Sequence, residues 1–350
     1  MGNTNSISEF AFPATKAMGH PTFVFTRTIA LGAVAVLASG TACVSGRKPV
    51  AQDVAGPEGR AIAFLAREVP RWAGENNCYS CHNNGDGARA LYAAVQRDWP
   101  VPAAALADTT RWLQRPEQWE HNGGEGEFSD KKLARIQFAA ALTGAMDAGR
   151  IKGRGALLQA ARDLVADQAD DGAWRIDGSG SIGSPATYGV SLSTHMARSS
   201  LHRADPERFK AAIAKADAWL RQHYMQTVLD AAGALLALRD ADDAAAMDQR
   251  RRCLNVIRQG QADDGGWGPY VTSPPQAFDT AIVLLSLKSV ASEPDVETMM
   301  RRGRAYLVRA QLSDGSWPET TRPPGAVSYA QRISTTGWAT LALLSTPSEP

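Results

Sequence analysis

The sequence predicts an all-α chain in which six helical hairpins close into a single (α/α)6 toroid. The main observation is a pattern, Gln-x-x-Asp-Gly-x-Trp, that begins at Gln168, Gln261 and Gln311. An amphipathic helical stretch precedes each copy, and a more apolar helical stretch follows it. One repeating unit is therefore a pair of helices joined by the motif.

The spacing of the copies sets the size of the unit. The last two glutamines are 50 positions apart and the first two are 93 apart, so a unit without the motif lies between the first pair. Extending the unit along the chain gives hairpins over 57–98, 103–148, 155–204, 206–239, 244–290 and 295–345. Closure into a ring is favoured over a short open solenoid, because a ring leaves no apolar end facing water.

The motif itself has a structural interpretation. Asp-Gly makes a tight turn that ends the first helix, because glycine accepts a positive φ. The tryptophan has a large apolar face to bury beside this turn, and its indole N–H needs an acceptor. We expect the glutamine amide to supply that acceptor.

The N-terminal segment indicates export. Residues 29–42 are uncharged, small and apolar, and they form a stretch too short to span a bilayer comfortably. The small residues before Cys43 resemble a bacterial lipoprotein processing site, which implies lipidation of Cys43. Gly40 stands where such sites usually have Leu, so a plain secretory signal is the alternative, and Met18 is an alternative start.

These features divide the chain into a signal segment (1–43), a tether (44–57) and the toroid (58–346). The predicted location is outside the cytoplasm, with a lipid anchor in a membrane that faces the periplasm or the cell exterior. The formal net charge is only +1, which argues against nucleic acid as a partner.

The three motif copies resemble the QW repeats of squalene–hopene cyclases and of the wider prenyltransferase and terpene cyclase toroid superfamily. The resemblance implies the toroid over nearly the whole mature chain and leaves the activity open, since fold and function come apart. In the cyclases, a D-x-D-D set at the mouth of an inner helix protonates the substrate, which requires one carboxylic acid kept neutral by its neighbours.

The acids of this chain do not reproduce that set. Asp240-Ala-Asp-Asp243 follows an inner helix, at the opposite end of the barrel, and is interpreted as a solvated turn. The matching position, 276–281, keeps only Asp279. Asp279 is a weak catalytic candidate, and an N-cap of its helix is the alternative interpretation. Triterpene cyclisation is therefore not expected, also because the second domain of the squalene cyclases is missing.

The strongest chemical signal is Cys78-Tyr-Ser-Cys81-His82. C-x-x-C-H is the attachment sequence of c-type haem, in which two thiols add to vinyl groups and the histidine ligates iron. It occupies the place of Gln-x-x-Asp-Gly-x-Trp in the first repeat, which puts one covalent haem c at the barrel mouth. His121 is the first candidate for the sixth iron ligand. A structural disulfide, a metal site and coincidence are the alternatives.

Two functional hypotheses follow. The leading one is an exported toroid with haem c that serves electron transfer to a redox partner protein or haem-linked small-molecule chemistry. The competing one is a terpene cyclase- or prenyltransferase-like enzyme, or a binder of a small apolar molecule in the toroid cavity, with structural cysteines. A pure protein–protein scaffold is a third possibility.

Overall fold

The computed structural model describes residues 53–120, 131–176 and 184–346, and over these ranges it contains helices and no β-strand. The α-helices are α1 Pro57–Asn76, α2 Ala88–Val95, α3 Ala103–Leu113, α4 Lys131–Asp147, α5 Gly155–Ala166, α6 Ser184–Ala204, α7 Lys210–Gln222, α8 Val228–Ala237, α9 Ala244–Gly260, α10 Ala277–Leu287, α11 Val296–Ala310 and α12 Tyr329–Ser345. A π-helical turn, Cys81–Gly87, leads directly into α2. The predicted six hairpins are thus confirmed.

The even-numbered helices form a closed inner ring. Each of them packs against the next, from α2 through α4, α6, α8 and α10 to α12, and α12 returns to α2. The odd-numbered helices lie outside this ring. The sequence prediction of an all-α toroid is therefore confirmed.

The repeated motif forms one joint three times. The indoles of Trp174, Trp267 and Trp317 are buried, and each donates its N–H to a carbonyl in the last turn of the preceding outer helix. The prediction that the glutamine accepts this N–H is wrong. The reason is that the last carbonyls of a helix have no partner within the helix and are nearer acceptors.

The glutamine amide instead connects one hairpin to the next. Its N–H group donates to the glycine carbonyl of its own turn and to a carbonyl of the next outer helix, as seen at Gln168 with Ala212 (2.9 Å) and Gln261 with Met299 (3.0 Å). Gln311 does the same with Pro57 at 2.8 Å, so the last repeat holds the first.

The motif glycines have the predicted positive φ. At Gly315, φ is +93°, and a Cβ there would lie 2.3 Å from the backbone oxygen of Arg60 on α1. Only glycine allows both this backbone conformation and this close approach. The turn therefore also fixes the distance between neighbouring outer helices.

One arginine fastens the two ends of the toroid. Arg304 on α11 donates to the carbonyls of Leu343 (2.9 Å) and Thr346 (3.1 Å) at the end of α12. Its other terminal nitrogen pairs with Glu58 in the first turn of α1. All three elements are thus joined through a single, largely buried guanidinium.

The signal segment 1–43 with Cys43, and the tether up to residue 52, lie outside the described residues. Within the described ranges, no helix has the length and apolar character needed to cross a bilayer.

Candidate functional site

The inner ring surrounds a buried carboxyl group, that of Asp86. Asp86 lies in the π-helical turn before α2 and is 1% exposed. The hydroxyl of Tyr188 on α6 lies 2.6 Å from both carboxyl oxygens. Gln137 on α4 donates its amide N–H at 2.9 Å, and Ser334 on α12 donates its hydroxyl. Three inner helices therefore converge on one side chain.

The local sequence explains how this carboxyl reaches the interior. Asn84 holds the π-helical turn, because its side chain donates to the carbonyl of Val69 (3.3 Å) and to Thr109 (2.8 Å). On the other side, Gly337 of α12 leaves room for the turn, since a Cβ there would lie 2.8 Å from the backbone oxygen of Asp86. The hydrogen bonds of Asn84 and the small size of Gly337 together allow the turn to lie inside the ring.

The electrostatics of the site favour a neutral Asp86. Burial raises its pKa above the ordinary value of 3.8, while the hydrogen bonds from Ser334, Tyr188 and Gln137 and the positive charge of Arg89 oppose that rise. Burial and the nearby Asp86 raise the pKa of Tyr188 well above 10.0, so this phenol stays protonated and remains a donor. The site thus combines burial, which disfavours the charged form of Asp86, with donors that can stabilise its anion.

Aromatic rings surround the same carboxyl. Tyr188, Phe278 and Trp338 pack around one another with centroid separations of 5.5 to 6.0 Å. The Trp338 indole also donates to the Tyr188 hydroxyl at 2.9 Å. Aromatic faces attract cations through their quadrupole, so this wall suits a positively charged reacting species.

A buried acceptor next to the acid has no donor. The side-chain oxygen of Gln137 is buried without a hydrogen-bond partner among the described residues, although the nitrogen of the same amide binds Asp86. Such an atom is costly to bury unpaired, and a water molecule or another donor beside it would satisfy it.

Asp279, the acid proposed from the sequence, has a different environment. It lies in the first turn of α10 and is fully buried, and Arg322 donates to its two oxygens at 2.9 and 2.7 Å. The alternative interpretation as an N-cap is wrong, since the N-cap is Gln276. Burial raises the pKa of Asp279 and Arg322 lowers it, which describes a buried ion pair.

The other acidic cluster behaves as predicted. Asp240, Asp242 and Asp243 are exposed in the connection between α8 and α9. Asp243 caps α9 by accepting from the backbone N–H of Ala246 at 3.0 Å. These carboxylates therefore lie in a solvated turn.

The Cys-x-x-Cys-His segment lies between α1 and α2, where the other repeats carry their motif. Cys78 and Cys81 are half-buried, and the Trp72 indole N–H lies 3.3 Å from the sulfur of Cys78. Tyr79 stacks on Trp112 with centroids 4.4 Å apart. Burial lowers the pKa of His82 to about 4, so its imidazole is neutral at pH 7.

His121, the candidate sixth ligand, lies outside the described residues. Within the described ranges, no three His, Cys, Asp or Glu side chains cluster as metal ligands. The residues that the structure does bring together are those around Asp86, and the sequence analysis did not predict this site. The available signal was Gly85-Asp86-Gly87, a carboxylate at the head of an apolar inner helix.

Comparison with known proteins agrees with this architecture. Residues 225–349 match the family described as the squalene-hopene cyclase C-terminal domain. No curated protein matches the chain in sequence. The solved structures that it resembles include type II terpene cyclases, and the likeness shows that the chain has their α/α-toroid fold.

The particular neighbours are structures of MstE from Scytonema. The apo enzyme aligns with a TM-score of 0.56 and 15% identity over 83% of this chain and 98% of that chain. A variant bound to its substrate, geranylgeranyl dihydroxybenzoate, aligns with a TM-score of 0.55 and 15% identity, over 83% and 96%. A variant bound to its product, merosterolic acid A, aligns with a TM-score of 0.54 and 17% identity over the same shares.

Proposed function

We propose that this protein is a proton-initiated isoprenoid cyclase in which Asp86 is the catalytic acid. The observation that carries the proposal is the buried carboxyl of Asp86, held between three hydrogen-bond donors and an aromatic wall. The toroid fold and its terpene cyclase neighbours support the choice of reaction class.

Protonation of an alkene needs an acid that keeps its proton until the substrate is in place. Burial provides this, because it disfavours the charged carboxylate of Asp86. When the proton leaves, the donors Tyr188, Gln137 and Ser334 stabilise the anion that remains. The same site thus retains the proton in the ground state and stabilises the conjugate base in the transition state.

The reaction balances without a cofactor. The π electrons of the terminal alkene form a C–H bond with the proton of Asp86, which leaves a carbocation on the more substituted carbon. The next double bond attacks this carbon and closes a ring, and loss of a proton to a base ends the sequence. Phe278, Trp338 and Tyr188 face this region and stabilise the cation.

The acid of this proposal comes from the first repeat. The matching position of the fifth repeat carries Asp279, which is paired with Arg322, and lacks the other acids of a D-x-D-D set. The MstE structures in complex show a prenylated aromatic acid as the substrate of that enzyme. An isoprenoid chain is accordingly the substrate class that we propose here.

The test is turnover of isoprenoid substrates by the purified protein, with products identified by mass spectrometry. We expect Asp86→Asn to abolish cyclised products, since the amide cannot donate a proton to an alkene. The matched control is Asp240→Asn, which makes the same change in an exposed turn and should leave turnover intact. Cyclised product from Asp86→Asn would refute the role of Asp86.

A second function is favoured by the Cys-x-x-Cys-His segment. We propose that Cys78 and Cys81 carry one covalent haem c, with His82 as iron ligand and His121 as the candidate sixth ligand. Cys78 and Cys81 would hold the group through two thioether bonds, and His82 would bind its iron. The two sulfurs are half-buried and therefore partly accessible for attachment, and the group would supply one-electron transfer to a redox partner.

The haem proposal is tested in a host that matures c-type cytochromes. We expect a haem-stained band on a denaturing gel, and we expect it to disappear in Cys78→Ala with Cys81→Ala. Cys253→Ala removes a cysteine buried in α9 and is the control that should keep the stain. An unstained wild-type band in that host would refute covalent haem.

Export through a lipid anchor belongs to the same proposal, because haem c is attached outside the cytoplasm. We expect the protein in the membrane fraction of a bacterial host, labelled by a fatty-acid probe. The Cys43→Ala protein should be absent from the membrane fraction and should not be labelled. Labelling of the Cys43→Ala protein would exclude Cys43 as the lipidated residue.

A further inference from the structure

One end of the ring carries five connections that differ in charge. Each runs from the end of an inner helix to the start of the next outer helix, over 96–102, 148–154, 205–209, 238–243 and 288–295. The connection 148–154 contains Arg150, Lys152 and Arg154 and no acidic residue, and we call it the basic loop. Each of the other four contains at least as many acidic as basic residues. The positive charge at this end is therefore concentrated in one loop.

The backbone holds the basic loop in place. Gly149 follows α4 with φ of +69°, and the N–H of Arg150 donates to the carbonyl of Ala145 at 2.9 Å. Ile151 is 6% exposed and packs in the hydrophobic core. The residues on either side of it, Arg150 and Lys152, are exposed. The loop thus presents cations to the solvent from an anchored backbone.

The cations of the basic loop have no counter-ion within the described chain. Among the residues that the structure describes, none forms a salt bridge or a side-chain hydrogen bond with Arg150, Lys152 or Arg154. In contrast, Arg203 at the end of α6 pairs with Asp147 at the end of α4, at 2.7 Å. Cations that are clustered without acids create a positive potential, which is available to an anionic surface.

The other connections restrict how such a surface can approach. The three that follow the basic loop around the ring contain one basic residue each, against two, three and two acidic residues, in 205–209, 238–243 and 288–295. An anionic surface is repelled on that side and attracted by the basic loop. The charges therefore favour one tilt of the toroid on such a surface.

The chain also enters the toroid at this end. Arg304 donates to the carbonyl of Leu343 at the end of inner helix α12, and it pairs with Glu58 in the first turn of α1. The outer helix α1 therefore begins where the inner helices end. Cys43, the proposed lipidation site, lies fourteen positions before Pro57, a reach of at most about 50 Å when fully extended. A lipid on Cys43 would accordingly tie this end of the ring to a bilayer.

We propose that the basic loop binds the head groups of an anionic phospholipid membrane. Its three cations contact lipid phosphates, and the acidic connections face away from the bilayer. The inference rests on the proposed lipid anchor only for the side on which the membrane lies. A tether alone leaves the orientation of the toroid open, whereas contact through the loop sets it.

The experiment measures partition of the purified full chain and of residues 44–350 into sedimented vesicles. The shorter chain keeps every contact that closes the ring and lacks the lipid anchor. One vesicle type contains phosphatidylcholine with phosphatidylglycerol, and the other contains phosphatidylcholine alone. Each Lys or Arg near an anionic surface strengthens partition about fivefold, so residues 44–350 should prefer the anionic vesicles about 100-fold at low salt. The preference should fall as NaCl is added, because salt screens exposed charges.

Two triple variants of residues 44–350 test the assignment to the basic loop. The first, Arg150→Gln with Lys152→Gln and Arg154→Gln, should reduce the preference to within about twofold. The matched control removes three exposed cations at the opposite end of the ring and should keep the preference; it combines Arg115→Gln, Lys131→Gln and Lys132→Gln. Circular dichroism and gel filtration confirm that each protein is folded.

The outcomes separate the loop from the anchor. Equal partition of residues 44–350 into both vesicle types, or an equal loss of preference in both triple variants, would refute binding through the basic loop. Stronger displacement by inorganic phosphate than by NaCl of the same ionic strength would make the loop a site for free phosphate and refute the membrane contact. A full chain that does not bind phosphatidylcholine vesicles would count against the lipid anchor and leave the basic loop standing.

Discussion

Removal of the Tyr188 hydroxyl tests the central arrangement of the site. In Tyr188→Phe, Asp86 loses the donor that lies 2.6 Å from both of its oxygens, while Gln137 and Ser334 remain. The Trp338 indole N–H, now 2.9 Å from the hydroxyl, is left buried without its acceptor. The substitution therefore weakens the acid and also removes the acceptor of two hydrogen bonds, one from the Trp338 indole and one from the Gln137 amide at 3.3 Å.

The magnitude follows from the charge on the acceptor. A hydrogen bond to a charged group contributes about 1.5–3 kcal/mol, and this donor acts on Asp86 mainly after the proton has left. We expect kcat to fall about 10- to 100-fold with little change in KM, because the lost interaction stabilises the transition state more than bound substrate. The free energy of unfolding should fall by about 1–3 kcal/mol, the cost of the unsatisfied Trp338 N–H.

The assay combines steady-state rates of product formation with urea unfolding. The control is Tyr92→Phe, since Tyr92 is also buried in the inner ring but directs its hydroxyl to Thr110 on α3, at 2.9 Å. This control should lose some stability and keep kcat. Wild-type kcat in a folded Tyr188→Phe protein, or an equal loss of kcat in Tyr92→Phe, would refute the reasoning.

Three further outcomes are expected. Because the pKa of Asp86 is raised on folding, its contribution to stability is fully present below pH 3.8 and is lost as pH rises through the folded-state pKa. Urea unfolding should therefore show that the wild type loses stability relative to Asp86→Asn as the pH rises over that range. Asp279→Asn should lower the free energy of unfolding by about 2–4 kcal/mol by unpairing Arg322, with kcat unchanged in the folded fraction; a loss of kcat would return Asp279 to the reaction. Gln311→Ala should lower the free energy of unfolding by about 1–3 kcal/mol, because it removes the hydrogen bond to Pro57. A similar loss for Gln168→Ala would show that the contact between the last and first hairpins is no stronger than the contact between two consecutive hairpins.

The sequence predicts the toroid well because its joints are local. In each copy, the indole N–H of the motif tryptophan bonds a carbonyl only ten residues away in the chain, as between Trp267 and Ile257. The conformation of Gly265, with φ of +93°, follows from the residue type alone. Periodicity and turn chemistry are therefore sufficient to place six hairpins in order.

The acid site could not be predicted in the same way, because its members are far apart in the chain. Asp86 meets Gln137, Tyr188 and Ser334 only after the inner ring has closed, across separations of 51, 102 and 248 residues. A single carboxylate between glycines carries no pattern that spacing rules detect. The motif search instead led to Asp279, whose partner Arg322 lies in a loop without any repeat signature.

The contacts of Arg304 have a topological consequence. Because this one side chain bonds both α1 and the end of α12, the polypeptide ends of the toroid are neighbours in space. A circularly permuted chain that starts at α3, ends with α2 and links residue 346 to residue 53 would interrupt only the short connection after α2. We therefore expect the permuted chain to form the same ring although its hairpins are synthesised in a different order.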